Sequence, residues 1–186
     1  SFLTKGRTLE MLEQKLRHAK ILPSYIFTIK EWSTDKNSIK KKIYSLLGTG
    51  PWIVRSSFSG EDQLDSSNAG VFTSVLDVSF DNLEEAVNKV FESYYNQCTN
   101  EEILIQPMLE GVIASGVAFS HDPNTGSPDR IINWAEGDDT QAVTAGRAGH
   151  IWRIAAGYKK DAIKIKFLRP VYELIDELLS IFTNIP

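Results

Sequence analysis

Between residues 52 and 78 the chain reads WIVRSSFSGEDQLDSSNAGVFTSVLDV. The apolar run at 52–54 predicts a strand that delivers Arg55 into a loop rich in serine, glycine and acidic residues. A guanidinium offers a planar fork of donors that matches phosphate, and small residues let backbone N–H groups approach an anion closely. The same pattern is also typical of an ordinary β-hairpin with a polar loop, in which Arg55 is a surface charge.

A second cationic candidate, Lys5, lies near the start of the chain. Leucines at positions 9, 12 and 16 follow at helical spacing and predict an amphipathic helix, with Lys5-Gly6 in the preceding loop and Thr8 at the N-cap or first turn. A lysine beside glycine at the start of a helix can offer its ammonium group, loop amides and the helix dipole to one anion. The alternative is a surface lysine that precedes an ordinary helix.

A third candidate is the segment Gln106-Pro107-Met108, where an apolar strand is interrupted. Proline lacks an N–H group, so Pro107 is expected at a ladder end or a sheet edge, which leaves neighbouring backbone groups exposed. Such groups could bind the edge of an adenine ring while Met108 contacts its face. The alternative is a bent hairpin with Met108 in the core.

Composition narrows the class of protein. The 186 residues include 20 Lys and Arg against 24 Asp and Glu, a formal net charge of -4, so no basic excess indicates nucleic-acid binding.

No apolar stretch approaches the roughly 20 residues that span a bilayer, and charges interrupt the start of the chain where a signal peptide is apolar. A single cysteine, Cys98, fits a reducing compartment. The sequence predicts a soluble, cytoplasmic protein without membrane partners.

The rest of the chain alternates predicted strands and helices, which indicates an α+β fold. Three histidines are scattered without cysteine partners at ligand spacing, so no zinc site is expected. Helices are predicted at 35–47, 83–95 and 171–182, and strands at 25–29, 71–80, 102–109, 112–119, 130–135 and 151–155.

Taken together, the motifs resemble the nucleotide-binding domain of phosphoenolpyruvate synthase and pyruvate phosphate dikinase. The family pattern Val-Arg-Ser-Ser-x-x-x-Glu-Asp, followed by Ala-Gly, is matched at 54–62 and 69–70. The segments ILIQPML at 103–109 and SGVAFSHDPNTG at 115–126 are similar to the adenine-side strand of the family and the strand and turn after it. The match is long and ordered, unlike a lone glycine motif.

The resemblance implies an ATP-grasp-like, two-lobed α+β domain with mainly antiparallel sheets flanked by helices. The N-terminal lobe is expected at 1–105 and a second, incomplete lobe at 106–186. The family's metal-binding carboxylates are expected downstream of Pro186, so the chain is expected to be a C-terminally truncated domain without metal ligands of its own.

The resemblance also implies a reaction, in which phosphate passes from ATP with Mg²⁺ to a histidine on a separate phosphohistidine domain. Lys5 and Arg55 are the expected catalytic residues, since both would neutralise phosphate oxygens. Glu61 would orient Arg55 or a metal-bound water. Adenine contacts are carried over to Gln106, Met108 and Leu109, while Ser74 and Gln141 are assigned from position alone.

Two departures from the family pattern keep other functions open. Leu3-Thr4 replaces the usual glycines before Lys5, and Gln141 stands where the family's Gly-Leu-Gly-Glu motif has its glutamate. The second departure favours a non-catalytic or degenerate nucleotide-binding regulatory module. A plain α+β interaction domain, in which all these residues are structural, is the remaining alternative.

Overall fold

A computed structural model of the chain describes residues 3–57, 73–94, 101–137, 143, 149–155, 157–158 and 163–182. These residues form two compact units, the first from Ser1–Gln14 with Ile21–Met108 and the second from Lys15–Lys20 with Leu109–Pro186. Each unit contains an antiparallel sheet and at least one α-helix, so the predicted α+β class is confirmed. The lobe boundary between residues 105 and 106 stays a prediction.

The first unit is built on a four-stranded antiparallel sheet with the order β1-β4-β2-β3. β2 is central, because it pairs with β4 on one side and with β3 on the other. The strands are β1 (Tyr25–Thr28), β2 (Trp52–Ser57), β3 (Ser74–Val78) and β4 (Glu102–Pro107), and the helices are α1 (Lys5–Glu13), α2 (Ile29–Thr34), α3 (Lys36–Leu47) and α4 (Leu83–Glu92).

Alternating side chains of these strands bury one face of the sheet against α2, α3 and α4. β2 and β4 alternate in this way because one face of each strand is apolar and fully packed. The buried cluster comprises Phe27, Trp32, Ile39, Ile43, Leu47, Trp52, Val54, Val78, Leu83, Ala86, Val87, Val90, Tyr94, Ile103 and Ile105.

Helix α2 was not predicted from apolar spacing, because six residues are too few to show a period. Its sequence signal is the pair Thr28 and Glu31, which form a capping box. The Glu31 backbone N–H donates to Thr28 Oγ1 at 3.2 Å, and the Thr28 N–H donates to Glu31 Oε2 at 2.7 Å. These hydrogen bonds lower the pKa of Glu31.

Two predicted boundaries are wrong at the elements that carry the cationic candidates. Helix α1 begins at Lys5 rather than near Thr8, because Thr4 caps it by accepting the Arg7 N–H at 3.3 Å. Lys5 and Gly6 are therefore in the first helical turn and not in a loop. Strand β2 continues through Ser57, because its pairing with β4 extends to Glu102. Arg55 thus lies within the strand.

The second unit contains a three-stranded antiparallel sheet with the order β5-β6-β7 and one described long helix. The elements are β5 (Ala114–Phe119), β6 (Arg130–Glu136), β7 (His150–Ile154) and α5 (Leu168–Ile181). None of the helices in the described ranges has the length and apolar character needed to cross a membrane. The buried cluster comprises Ile132, Trp134, Ile154, Ile163, Leu168, Tyr172 and Ile175.

Residues 15–20 belong to the second unit, and the carboxylate of Glu177 on α5 attaches them. It accepts the backbone N–H groups of Arg17 at 2.9 Å and His18 at 3.1 Å, and it lies 3.1 Å from His18 Nδ1. Partial desolvation raises the pKa of Glu177, but these hydrogen bonds and the nearby imidazole outweigh it, so the pKa lies below the ordinary value.

We expect Glu177 to make stability depend on pH at the acidic end. A carboxyl group whose pKa is lower in the folded state contributes stability above its unfolded pKa of about 4.3, and this contribution is lost as the pH falls through the folded pKa. Between pH 7 and pH 3, Glu177→Gln should therefore lose less thermal stability than the native chain. Equal slopes of melting temperature against pH in the two proteins would contradict this.

Tyr94 joins the ends of β2 and β4 from the core side. Its hydroxyl accepts the Ser57 N–H at 3.1 Å and donates to the Glu102 carbonyl. We expect Tyr94→Phe to lower the free energy of unfolding by about 1–3 kcal/mol, because it leaves a buried N–H group without a partner. Tyr44→Phe is the control, since that ring is 51% exposed and its change should stay within about 0.5 kcal/mol. Urea unfolding measures both.

Candidate functional site

The face of the first sheet opposite the α2–α4 core carries polar side chains, and we call it the α1 face. Arg55 on β2 pairs directly with Leu104 on β4 and with Ser74 on β3, and Leu104 pairs in turn with Ile26. Directly paired residues of antiparallel strands present their side chains on the same side. By this register the α1 face carries Ile26, Thr28, Ile53, Arg55, Ser57, Ser74, Glu102, Leu104 and Gln106.

Arg55 is the cation at the centre of the α1 face. Its side chain is half-buried, and its Nε atom is buried without a hydrogen-bond partner among the described residues. A buried donor without a partner costs about 1–3 kcal/mol, more when it is charged. Native proteins pair almost all such donors, so an unpaired one indicates either strain or a missing ligand.

Glu102, the acidic side chain among the described residues of this face, is already bound to α1. Its Oε2 accepts the Thr4 hydroxyl at 2.6 Å, and its Oε1 accepts Arg7 Nε at 2.8 Å. The hydrogen bond to Glu10, together with the hydrogen bond to Glu102 and the charges of both carboxylates, outweighs partial desolvation and raises the pKa of Arg7. The negative charge of Glu102 is therefore compensated by the helix and not by Arg55.

Gly6 brings the first turn of α1 into contact with the sheet. Its N–H donates to Ser57 Oγ at 2.9 Å in a buried hydrogen bond. A Cβ atom at this position would lie 2.7 Å from Ile26 Cδ1 and 3.1 Å from Ser57 Oγ, so a larger residue here would require at least the Ile26 side chain to move.

These contacts place the backbone of Lys5 on the α1 face as well. Lys5 directly precedes Gly6, which contacts Ser57, and Ser57 is two residues from Arg55 on the same side of β2. Two residues along a strand span about 6.6 Å. The structure therefore brings the positive end of a nine-residue helix and an arginine to one sheet face, an arrangement suited to binding an anion.

The proposed adenine residues follow from β4 into the next segment. Gln106 is 7% exposed and lies on the α1 face, diagonal to Arg55, and its Nε2 donates to the Leu22 carbonyl at 3.4 Å. Pro107 ends β4, as expected, and the Met108 N–H donates to the Pro51 carbonyl at 2.9 Å. Leu109 is 59% exposed and begins the second unit.

Three predicted site residues remain, and the structure describes one of them. Ser74 is exposed and lies directly across from Arg55 in the β2–β3 pair. Glu61 and Gln141 lie outside the described residues.

Sequence reasoning missed Glu102, Ser57 and Thr4 as parts of the site. Glu102 had a partial signal, because Glu102 and Gln106 lie two residues on either side of Leu104 and so share the face of β4 opposite Ile103 and Ile105. Ser57 lies inside the Arg-Ser-Ser motif and Thr4 has the residue type of a helix N-cap, but their contacts with Gly6 and Glu102 are distant in sequence and had no signal.

The described part of the chain contains no group of three or more His, Cys, Asp or Glu side chains that could hold a metal ion. The Mg²⁺ implied by the resemblance therefore lacks such a ligand set among these residues.

The Asp-Pro-Asn-Thr-Gly motif at 122–126 forms a turn in the second unit. The buried carboxylate of Asp122 accepts the backbone N–H groups of Asn124 at 2.8 Å and Thr125 at 3.3 Å, and it pairs with Arg153. The Gly126 N–H closes the turn on the Asp122 carbonyl at 2.8 Å. The motif is thus explained by hydrogen bonds within its own loop and one ion pair.

Comparison with known proteins identifies the family of the chain. The model of the family described as "Pyruvate phosphate dikinase, AMP/ATP-binding domain" matches residues 25–149, a range that includes Arg55, Ser74 and Gln106. No curated protein matches the chain significantly. The crystal structure of PH1788 from Pyrococcus horikoshii Ot3 is similar to it with 15% sequence identity and a TM-score of 0.40, over 94% of this chain and 80% of that chain.

If Arg55 is kept for a ligand, replacing it should not harm the fold. We expect Arg55→Met, which preserves an apolar stem, to raise the free energy of unfolding by up to about 1 kcal/mol, because a half-buried charge without a partner is removed. Urea unfolding measures the change.

Arg130→Met is the matched control for this prediction. Arg130 also has a buried Nε without a partner, but its Nη2 binds Asp176 at 2.8 Å and its Nη1 binds the Pro128 carbonyl at 2.8 Å. Arg130→Met should therefore lower the free energy of unfolding by about 1 kcal/mol or more. If Arg55→Met is destabilised as strongly as Arg130→Met, Arg55 is structural and the interaction-domain alternative is favoured.

Proposed function

Because the chain belongs to the pyruvate phosphate dikinase AMP/ATP-binding domain family, we propose that it binds ATP through the α1 face of its first sheet. The observation that carries this proposal is the buried Nε of Arg55, which has no partner among the described residues. A phosphate oxygen is the acceptor that suits it, since guanidinium and phosphate form short, charge-assisted hydrogen bonds.

The first turn of α1 supplies the second part of this phosphate site. Gly6 and Arg7 already donate their N–H groups to Ser57 and Thr4, so the helix start offers an anion the positive end of its dipole, and Lys5 adds a positive charge there. In this proposal Arg55 and Lys5 neutralise phosphate oxygens from two elements that contact the same sheet face. Ser74, directly across from Arg55, borders the same site.

The base of the nucleotide is assigned to the end of β4. Gln106 lies on the α1 face, diagonal to Arg55 on the neighbouring strand, so the proposed base and phosphate contacts are on the same side of the sheet. Met108 and Leu109 supply apolar contact to the ring in this assignment. Glu61 would orient Arg55, and Gln141 is assigned to nucleotide binding from its sequence position alone.

The reaction proposed for the protein is phosphoryl transfer within an ATP-grasp-like domain of two lobes, 1–105 and 106–186. A phosphorus–oxygen bond of ATP breaks, and a phosphorus–nitrogen bond forms to a histidine on a separate domain. Such transfer depends mostly on positioning and charge neutralisation, which Arg55 and Lys5 supply. Mg²⁺, where bound, would neutralise further phosphate charge.

A nucleotide-binding module without catalysis is the second candidate function. It is favoured by Gln141, which stands where the family has a glutamate, and by Asp138-Asp139, which replace Gly-Leu. Transfer of label from ATP to a histidine-bearing partner domain separates the two candidates. Label on the partner supports the enzyme, and ATP binding without label supports the module.

The test of nucleotide binding is calorimetric titration of the whole chain with ATP, with and without Mg²⁺. We expect Arg55→Met to weaken binding by about 10- to 100-fold, because a charge-assisted hydrogen bond to phosphate contributes roughly 1.5–3 kcal/mol. The free energy of unfolding, measured in parallel, shows that the variant is folded.

Arg17→Met is the matched control for this titration, because it removes the same charge from an exposed position in the second unit. Its affinity for ATP should stay within about twofold of the native value. No ATP binding by the native chain, or equal weakening in both variants, would refute the proposed site.

A further inference from the structure

We propose that Ser57 and Glu102 are positioning residues, which hold the first turn of α1 in place so that Lys5 and Arg55 act on the same phosphate group. This inference rests on the proposed function, and it assigns to the second serine of Arg55-Ser56-Ser57 a role other than phosphate contact. It also assigns a role to a carboxylate that the sequence motifs do not include. We call the four residues Thr4, Gly6, Ser57 and Glu102 the α1 clasp.

The burial of Ser57 argues against direct contact with a ligand. The residue is 0% exposed, and its Oγ accepts the Gly6 N–H at 2.9 Å. Its own N–H donates to the Tyr94 hydroxyl at 3.1 Å. Ser57 therefore connects the core on one side of the sheet to α1 on the other.

Glu102 holds the same helix end through a second pair of contacts. Its side chain is 12% exposed, and its two carboxylate oxygens bind Arg7 and Thr4 separately. A carboxylate on a face that binds phosphate would repel the ligand if it were uncompensated. Here Arg7 neutralises it, so the charge serves to hold α1 and leaves Arg55 available.

The clasp fixes the geometry that a phosphate site requires. Leu12, the next buried residue of α1 after Gly6, lies about two turns further along the helix, so it does not hold the first turn directly. If the first turn of α1 could move by about an ångström, the ligand would have to order it on binding. The entropy cost of that ordering would weaken the affinity for the ligand.

The test is a double-mutant cycle between Ser57→Ala and Lys5→Met, with the dissociation constant for ATP as the readout. We expect Ser57→Ala to weaken ATP binding about 3- to 10-fold in the native background and less than about twofold in the Lys5→Met background, because the effect of Ser57 passes through Lys5. A serine that supports only the fold would weaken binding equally in both backgrounds, and that result overturns the proposal.

Ser57→Thr and Thr4→Val complete the test. Ser57→Thr keeps the hydroxyl acceptor and should restore affinity to within about twofold of the native value. Thr4→Val removes the partly buried hydrogen bond from the Thr4 hydroxyl to Glu102. If Ser57→Ala does not fold, Thr4→Val takes its place in the double-mutant cycle. It should show the same dependence on Lys5, and additive losses with Lys5→Met would refute the clasp.

The outcomes separate this inference from the proposed function. If the native chain does not bind ATP, the proposed function fails and the inference with it. If the native chain binds ATP and Arg55→Met does not, while Ser57→Ala and Thr4→Val bind like the native chain, the nucleotide site stands and the clasp is wrong.

Discussion

The central place of β2, paired with β4 on one side and β3 on the other, is the constraint on which the first unit depends. Because β2 is held from both sides, its alternation is rigid, with Trp52 and Val54 in the core and Arg55 on the opposite face. The backbone of Arg55 is therefore fixed on this face by pairing on both sides, unlike that of an arginine in a loop. The register of three strands thus determines where the candidate site lies.

The sequence predicted the α+β class and most elements, because long apolar runs and helical spacing are local signals. It failed where contacts distant in sequence decide the structure. The residue type of Ser57 favours a loop, yet pairing with Glu102 keeps it in β2. Thr4 outcompetes Thr8 as the cap of α1 because its hydroxyl is also held by Glu102, 98 residues away, which no local pattern can show.

The residues of the candidate site show the same difference between local and distant signals. Arg55 and Gln106 could be identified from ordered motifs, and the structure places both on one sheet face. The contacts of Ser57 and Glu102 with the start of α1 could not be predicted, since they are three hydrogen bonds, at Gly6, Thr4 and Arg7, between segments far apart in the chain. Motifs therefore reveal the groups suited to contact a ligand more readily than the groups that position them.

The distribution of charge on the α1 face is the strongest physical argument for a ligand. A domain selected only for stability would pair Arg55 with Glu102, since the two residues lie on adjacent strands of one face. Instead Glu102 is bound by Arg7 and Thr4, and Arg55 keeps a buried donor without a partner among the described residues. A buried donor of this kind destabilises the folded chain unless a ligand or a water accepts from it. That pattern is expected where binding, rather than folding, determines the choice of residue.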